Sequence, residues 1–173
     1  MLVALVQKAQ DGDLRAQNEL IIAYQARVAG FVLAMLGREA PVDDLCQDIF
    51  TKMLRGLPRL LERSLFEPWL FRLCRNQCID HVRRERWRRM FTFFDPATDD
   101  PPEEVDQDRR DRVDALLALL QRLSTRDRSL LLMAQEGLSL AEMAQATGTT
   151  TTTIKTRLHR ARERLRQLYE KRI

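Results

Sequence analysis

Gly137-Leu138-Ser139-Leu140-Ala141-Glu142-Met143-Ala144, followed beyond Gly148 by Thr153-Ile154-Lys155-Thr156-Arg157-Leu158-His159-Arg160-Ala161-Arg162, has the build of two short helices joined by a tight turn. Ser139 with Glu142 three residues later is a capping box, in which a hydroxyl and a carboxylate each satisfy an amide of the first turn. Gly148 suits the left-handed residue that stops such a helix, and Thr150 can cap the next one, which runs to about Tyr169. Ile154, Leu158, Ala161, Leu165 and Leu168 follow the i, i+4, i+7, i+11, i+14 pattern and so share an inward face. Lys155, Thr156, His159, Arg160 and Arg162 are left toward solvent or a DNA major groove. A basic amphipathic helix with a solvated charged face has the same period, so periodicity alone leaves both readings open.

Working outward, Val113, Leu116, Leu117 and Leu120 begin this second helical unit. Ser124 with Asp127 resembles another capping box ahead of Leu130, Leu131 and Leu132. Before them, Asp95, Asp99, Asp100, Glu103, Glu104, Asp106 and Asp108 occur with no Lys or Arg among residues 95–108. With Pro96, Pro101 and Pro102 they mark a linker. Phe91, Phe93 and Phe94 are expected to pack its start onto the first half.

In that first half, Leu2 to Ala9 reads as a short helix. Residues 13 to 36 form a long one, capped by Asp13 and carrying Leu20, Tyr24, Val28 and Phe31 at three- to four-residue steps. Pro41-Val42-Asp43-Asp44 starts a third, whose apolar face is Leu45, Ile49, Phe50 and Met53 and whose other face shows Asp44, Gln47, Asp48 and Lys52. Gly56 and Pro58 interrupt the pattern. It resumes at Pro68, with Trp69, Leu70, Leu73 and Ile79, and ends in Arg83-Arg84-Glu85-Arg86-Trp87-Arg88-Arg89, too basic all round for a core element.

The whole is therefore expected to be all-α, with two small helical domains in 173 residues. A composition 45% hydrophobic and 31% charged, with six Gly and six Pro, suits folded helices better than a strand-rich fold or a disordered chain. The net charge of +4 comes mostly from Arg, whose planar fork suits phosphate. There is no glycine-rich phosphate loop and no nucleophile with a base and orienter, so the chain is not expected to be an enzyme. Three cysteines cannot all pair, and neither a secretory leader nor a long uncharged apolar run is evident, which points to the cytoplasm without membrane insertion. Cys74, Cys78 and His81 share one helical face and could hold zinc. A fourth ligand is not evident and buried free Cys is common, so no metal and no cofactor are expected.

The C-terminal blocks quoted above closely resemble the promoter-binding region of extracytoplasmic-function sigma factors. Asp43-Asp44-Leu45-Cys46-Gln47-Asp48-Ile49-Phe50 looks like the sigma helix that docks on the polymerase clamp. Trp69-Leu70-Phe71-Arg72-Leu73-Cys74-Arg75-Asn76, with Asp80-His81-Val82-Arg83-Arg84, resembles the segment that grips the melted minus-ten element. Gly12-Asp13, with Ala16 and Leu20, agrees with the usual start. The resemblance covers nearly the whole chain in the expected order. It implies a sigma region 2-like domain over residues 1–90, an acidic linker over 91–111 and a sigma region 4-like domain over 112–173. Its implied partners are core RNA polymerase, through the clamp helices and flap region, promoter DNA, and an anti-sigma factor.

By the same resemblance, Asp43, Asp44, Gln47 and Asp48 bind polymerase. Leu60, Trp69, Asn76, Asp80, Arg83, Arg84 and Trp87 bind the minus-ten element. Thr150, Thr152, Thr153, Lys155, Thr156, Arg157, His159 and Arg160 bind the minus-thirty-five element. Trp69 reads either as a core anchor or as a base stacker, with Trp87 the better nucleic-acid contact. The linker either lies in the basic path of nascent RNA or is a solvated tether. Two departures stand out. A Thr run at Thr149 and Thr151 to Thr153 replaces an apolar residue and a Gly around the turn, and Leu60 or Leu61 stands where an aromatic often precedes a Gly. A stand-alone helix-turn-helix regulator, or a thiol or metal sensor using Cys74 and Cys78, explains less of the sequence.

Overall fold

The computed structural model describes residues 1–91 and 107–171, and every regular element among them is helical. In order these are α1 (Leu2–Gln10), α2 (Leu14–Leu36), α3 (Val42–Gly56), the 3-10 turns Leu57–Arg59 and Arg63–Leu65, α4 (Phe66–Phe91), α5 (Gln107–Gln121), α6 (Thr125–Gln135), α7 (Leu140–Thr147) and α8 (Thr151–Glu170). The expected packing of Phe93 and Phe94 lies outside the described residues, as do the side chain of Phe91 and most of the acidic stretch.

α2 organises the molecule. Asp13 starts it by accepting the amides of Arg15 at 2.8 Å and Ala16 at 3.2 Å, and Leu20, Tyr24, Val28, Phe31, Val32 and Met35 bury one stripe along it. That stripe and its flanks meet α1, α3 and α4 of the first half and α5 and α6 of the second. At 23 residues α2 is long and apolar enough to cross a membrane by length and composition. Here its apolar stripe faces protein, and Arg27 at its middle is held in ion pairs.

Three local expectations are corrected. α4 begins at Phe66, ahead of Pro68, because Phe66 is fully buried with its ring edge-on to Tyr24 at 5.3 Å, and this anchors the turn. Pro68 still falls in the first turn, where its missing amide costs nothing. In α5, Val113 and Leu116 are exposed, while Leu119 joins Leu120, Leu123 and Leu168 in a small apolar cluster beside Ala34. The buried face is thus turned toward Leu119.

The third correction concerns Ser124. Its Oγ accepts from the Asp127 amide at 3.1 Å, but the Asp127 carboxylate accepts a hydrogen bond from the Ser124 hydroxyl at 2.7 Å instead of reaching back to the Ser124 amide. Asp is one methylene too short for the second half of the box. Ser139 and Glu142 do complete theirs, at 3.2 and 2.7 Å. Such a cap contributes about 1 kcal/mol.

The two halves share one core. Its buried residues run from Val6 and Leu20 through Phe71 and Cys74 to Met133, Met143 and Ile154. Arg128 of α6, only 6% exposed, donates across the junction to the Met35 carbonyl at the end of α2.

Candidate nucleic-acid and polymerase interfaces

α8 is set by its own start. Gly148 ends α7 at φ 66°, the left-handed region that glycine enters without a Cβ penalty. The Thr150 hydroxyl oxygen then accepts the Thr153 amide at 3.2 Å. The threonine run that departs from the family pattern is occupied locally: Thr150 and Thr153 hydroxyls meet at 2.9 Å, Thr156 donates to the Thr152 carbonyl at 3.1 Å, and the Thr149 amide reaches the Ala144 carbonyl at 3.1 Å. Ile154, Leu158, Ala161 and Leu168 are buried, and Leu165 is half-buried. Thr150, Thr152, Lys155, Thr156, Arg157, His159, Arg160 and Arg162 are exposed, with Thr153 half-buried. The polar set therefore lies on one accessible surface, with the free amides of a capped helix start beside it.

On α4 the basic end is accessible. Arg84 is exposed, Arg83 pairs with Asp80 at 3.1 Å one turn back, and Asn76 is exposed one turn before that. Trp87, 60% exposed, and Met90 sit beside Arg83 and Arg86 along a cleft of about 860 Å³. Arg75, Arg126 and Arg157 complete its cationic lining, and among the described residues no carboxylate lines it. Burial, with Arg126 nearby, pulls the Arg75 guanidinium below its ordinary pKa.

A second cavity of about 510 Å³ holds Leu60, Leu61 and Trp69. Trp69 is half-buried, 6.0 Å from the Phe66 ring and against Gly56, so one side anchors the loop while another lines the cavity.

α3 presents Asp43, Asp44, Gln47 and Asp48 to solvent while Leu45, Ile49, Phe50 and Met53 are buried beneath. Asp43 and Asp44 occupy the first turn, where carboxylates complement the positive end of the helix dipole. Sequence reasoning missed what holds Asp48. Gln77 of α4, 2% exposed, donates to the Asp48 carboxylate at 2.9 Å and accepts from the Lys52 ammonium. A lone Gln within an apolar helical period was the available signal.

Also missed was Arg27. Its guanidinium pairs with Glu67 at 2.6 Å and Glu136 at 2.8 Å and lies over the Tyr24 and Phe71 rings at 5.1 and 5.0 Å. Burial opposes its charge, but the two carboxylates outweigh this and raise its pKa. Burial likewise tends to raise the Glu67 carboxyl, yet hydrogen bonds from Arg27 and Tyr24 hold it below the ordinary range.

Among the described residues no group of three or more His, Cys, Asp or Glu converges as a metal site. Cys74 and Cys78 are core side chains, and burial pushes the Cys78 thiol up to about 12.

An acidic helix face, a basic helix end carrying an exposed aromatic, and a capped helix-turn-helix define a helical protein built to meet nucleic acid and a protein partner together. The sequence matches Sigma-70 region 2 over residues 20–88 and Sigma-70, region 4 over residues 114–165. It is 30% identical to the RNA polymerase sigma factor NccH of Alcaligenes xylosoxydans xylosoxydans, across 96% of this chain and 94% of that protein. It is 33% identical to the ECF RNA polymerase sigma factor SigC of Mycobacterium tuberculosis, across 95% and 89%.

Among solved structures, the fold is similar to CnrH in complex with the cytosolic domain of CnrY. The TM-score is 0.72 at 24% identity, over 98% of this chain and 97% of that one. It is also similar to the sigma factor RpoE in complex with the anti-sigma factor NepR from Bartonella quintana, with a TM-score of 0.69 at 24% identity over 88% and 96%. The chain belongs to the extracytoplasmic-function sigma factor family. As a sigma factor it directs RNA polymerase to promoters in transcription initiation.

Proposed function

We propose that this alternative sigma factor divides its work among three surfaces. Asp43, Asp44, Gln47 and Asp48 dock on the polymerase clamp. Asn76, Asp80, Arg83, Arg84 and Trp87, with Leu60 and Trp69 at the adjoining loop, hold the melted minus-ten strand. Thr150, Thr152, Thr153, Lys155, Thr156, Arg157, His159 and Arg160 meet the minus-thirty-five duplex, with Thr153 contributing from a half-buried position. Residues 1–90 then form the polymerase and minus-ten domain, 91–111 the acidic linker, and 112–173 the minus-thirty-five domain.

The observation that carries this reading is the α8 face, where the basic and hydroxyl side chains of the helix stand exposed beside its capped N-terminus and opposite buried Ile154, Leu158 and Ala161. Arg guanidiniums hold phosphates or read guanine edges, and an exposed Trp can stack on a separated base. The chain works in the cytoplasm, where its polymerase is, and is not itself an enzyme: bond making belongs to polymerase. An anti-sigma factor is a further partner on this reading, since the similar RpoE structure is a complex with the anti-sigma factor NepR.

Run-off transcription with purified core polymerase on a promoter library is the direct test. Specific transcripts that need both core and this chain are expected. Sequence-specific DNA binding of full strength without core, and no dependence of transcription on the chain, would favour a stand-alone regulator instead.

A further inference from the structure

Asp44, Asp48 and Lys52 stand at four-residue steps on α3, so their side chains form one column on its outer face. All three are exposed. An acidic residue one turn ahead of a basic one is the favourable order for a helical ion pair, and repulsion from Asp44 pushes the Asp48 carboxylate the same way. Yet among the described residues neither Asp48 nor Lys52 is ion-paired, with the other or elsewhere.

Gln77 intervenes. It belongs to the buried face of α4 that also carries Cys74 and Cys78, and it is only 2% exposed. Its Nε2 donates to Asp48 Oδ2 at 2.9 Å, and its Oε1 accepts from the Lys52 ammonium. The two ends of an amide are not interchangeable, since only the donor end suits a carboxylate and only the acceptor end suits an ammonium. The two partners therefore fix the orientation of the amide, which stands between their charges.

Stability does not account for an amide at this place. Its hydrogen bonds replace bonds to water and contribute little on balance, whereas a leucine there would bury apolar surface without desolvating a polar group.

We propose that Gln77 is a positioning residue for polymerase docking: its amide holds Asp48 and Lys52 apart, so that Asp48 meets polymerase as an open carboxylate. The proposal rests on the docking role given to Asp48 above. Among the described residues only Oδ2 of that carboxylate is engaged, which leaves Oδ1 for a cationic partner. A carboxylate closed onto Lys52 would have to break that pair before docking. Gln77 thus acts on polymerase binding from beneath the surface, through the side chain it holds.

The full chain and core polymerase supply the test, at low ionic strength, where an exposed pair is least screened. Gln77→Leu should bind core roughly two- to threefold more weakly, the factor that an i,i+4 ion pair contributes. Gln77→Met, which keeps the length and loses the amide, should do the same. Lys52→Gln should change wild-type binding little, yet restore binding in the Gln77→Leu background, because the competitor for Asp48 is gone. A general loosening of α3 against α4 would not be mended by a change at an exposed lysine. In a crystal structure of Gln77→Leu, the Lys52 ammonium should lie within about 4 Å of the Asp48 carboxylate.

Undiminished binding by Gln77→Leu and Gln77→Met, or an effect of Lys52→Gln that is equal in both backgrounds, would overturn the proposal. Failure of the docking assignment looks different: reversal of Asp44 and Asp48 together would then leave core binding intact.

Discussion

The Trp69 indole closes so tightly over Gly56 that a Cβ placed on Gly56 would lie 2.8 Å from Cζ2 of that ring. Gly56 is required there for lack of bulk, because its backbone is ordinary right-handed helix. Gly56→Ala should push Trp69 out of register with Leu60 and lower stability by about 1–3 kcal/mol, the usual cost of overpacking. Thermal unfolding measures the loss, and the emission of Trp69 in a Trp87→Phe background reports the displaced ring. A variant as stable as wild type with unchanged emission would contradict the packing.

Charge reversal at both Asp44 and Asp48 should weaken core polymerase binding by about tenfold while the helical circular-dichroism signal stays intact, since both side chains are solvent-facing and Asp48 is held by the buried Gln77. Gln77→Leu should weaken it less, by freeing the Asp48 carboxylate without changing its charge. Titration of fluorescent core with each variant separates the two effects. Equal binding by wild type and the double reversal would remove α3 from the interface.

Arg160→Ala should relax base preference in the minus-thirty-five element, where a bidentate guanidinium contact to guanine discriminates by roughly 1–3 kcal/mol. Lys155→Ala should weaken all promoters alike and reduce the salt slope by about one unit. Selection from a promoter library resolves the two patterns. Retention of the wild-type preference by Arg160→Ala would make α8 a non-specific cationic helix.

Glu67 supplies a pH dependence. Its pKa is depressed in the folded state by Arg27 and Tyr24, so its contribution is present above the ordinary glutamate pKa of about 4.3 and is lost as pH falls through the folded value. Thermal stability should therefore drop on acidification below about pH 4.3, and Glu67→Gln should flatten that part of the profile. Parallel profiles for wild type and Glu67→Gln would argue that the Arg27 network contributes nothing to stability.

What the sequence made legible is what short-range chemistry controls. Asp13, Ser139 with Glu142, Gly148 and Thr150 act within four residues of themselves, and their helix ends fall where those residues place them. The candidate site came from the family resemblance, and period added only which face of α8 carries it, separating Arg160 from Ile154. The α5 face was not legible in this way, because Leu116, Leu117, Leu119 and Leu120 offer two apolar stripes one position apart, and only contact with Leu168 and Ala34 selects between them. The Arg27–Glu136 pair and the Arg128–Met35 bond join residues roughly a hundred positions apart, and no periodicity encodes such a pairing.

Cys74 and Cys78 carry a final consequence for how the protein meets oxidants. Attack by peroxide requires a thiolate, and a thiol held up at about 12 offers roughly one molecule in 10⁵ in that form at neutral pH. Burial also pushes the Cys74 thiol up, and desolvation with the neighbouring Asp43 raises that of half-buried Cys46. Oxidant should meet the fully buried Cys74 and Cys78 sulfurs only during rare unfolding events. A folded chain that passes through an oxidising episode should therefore keep its two core sulfurs reduced.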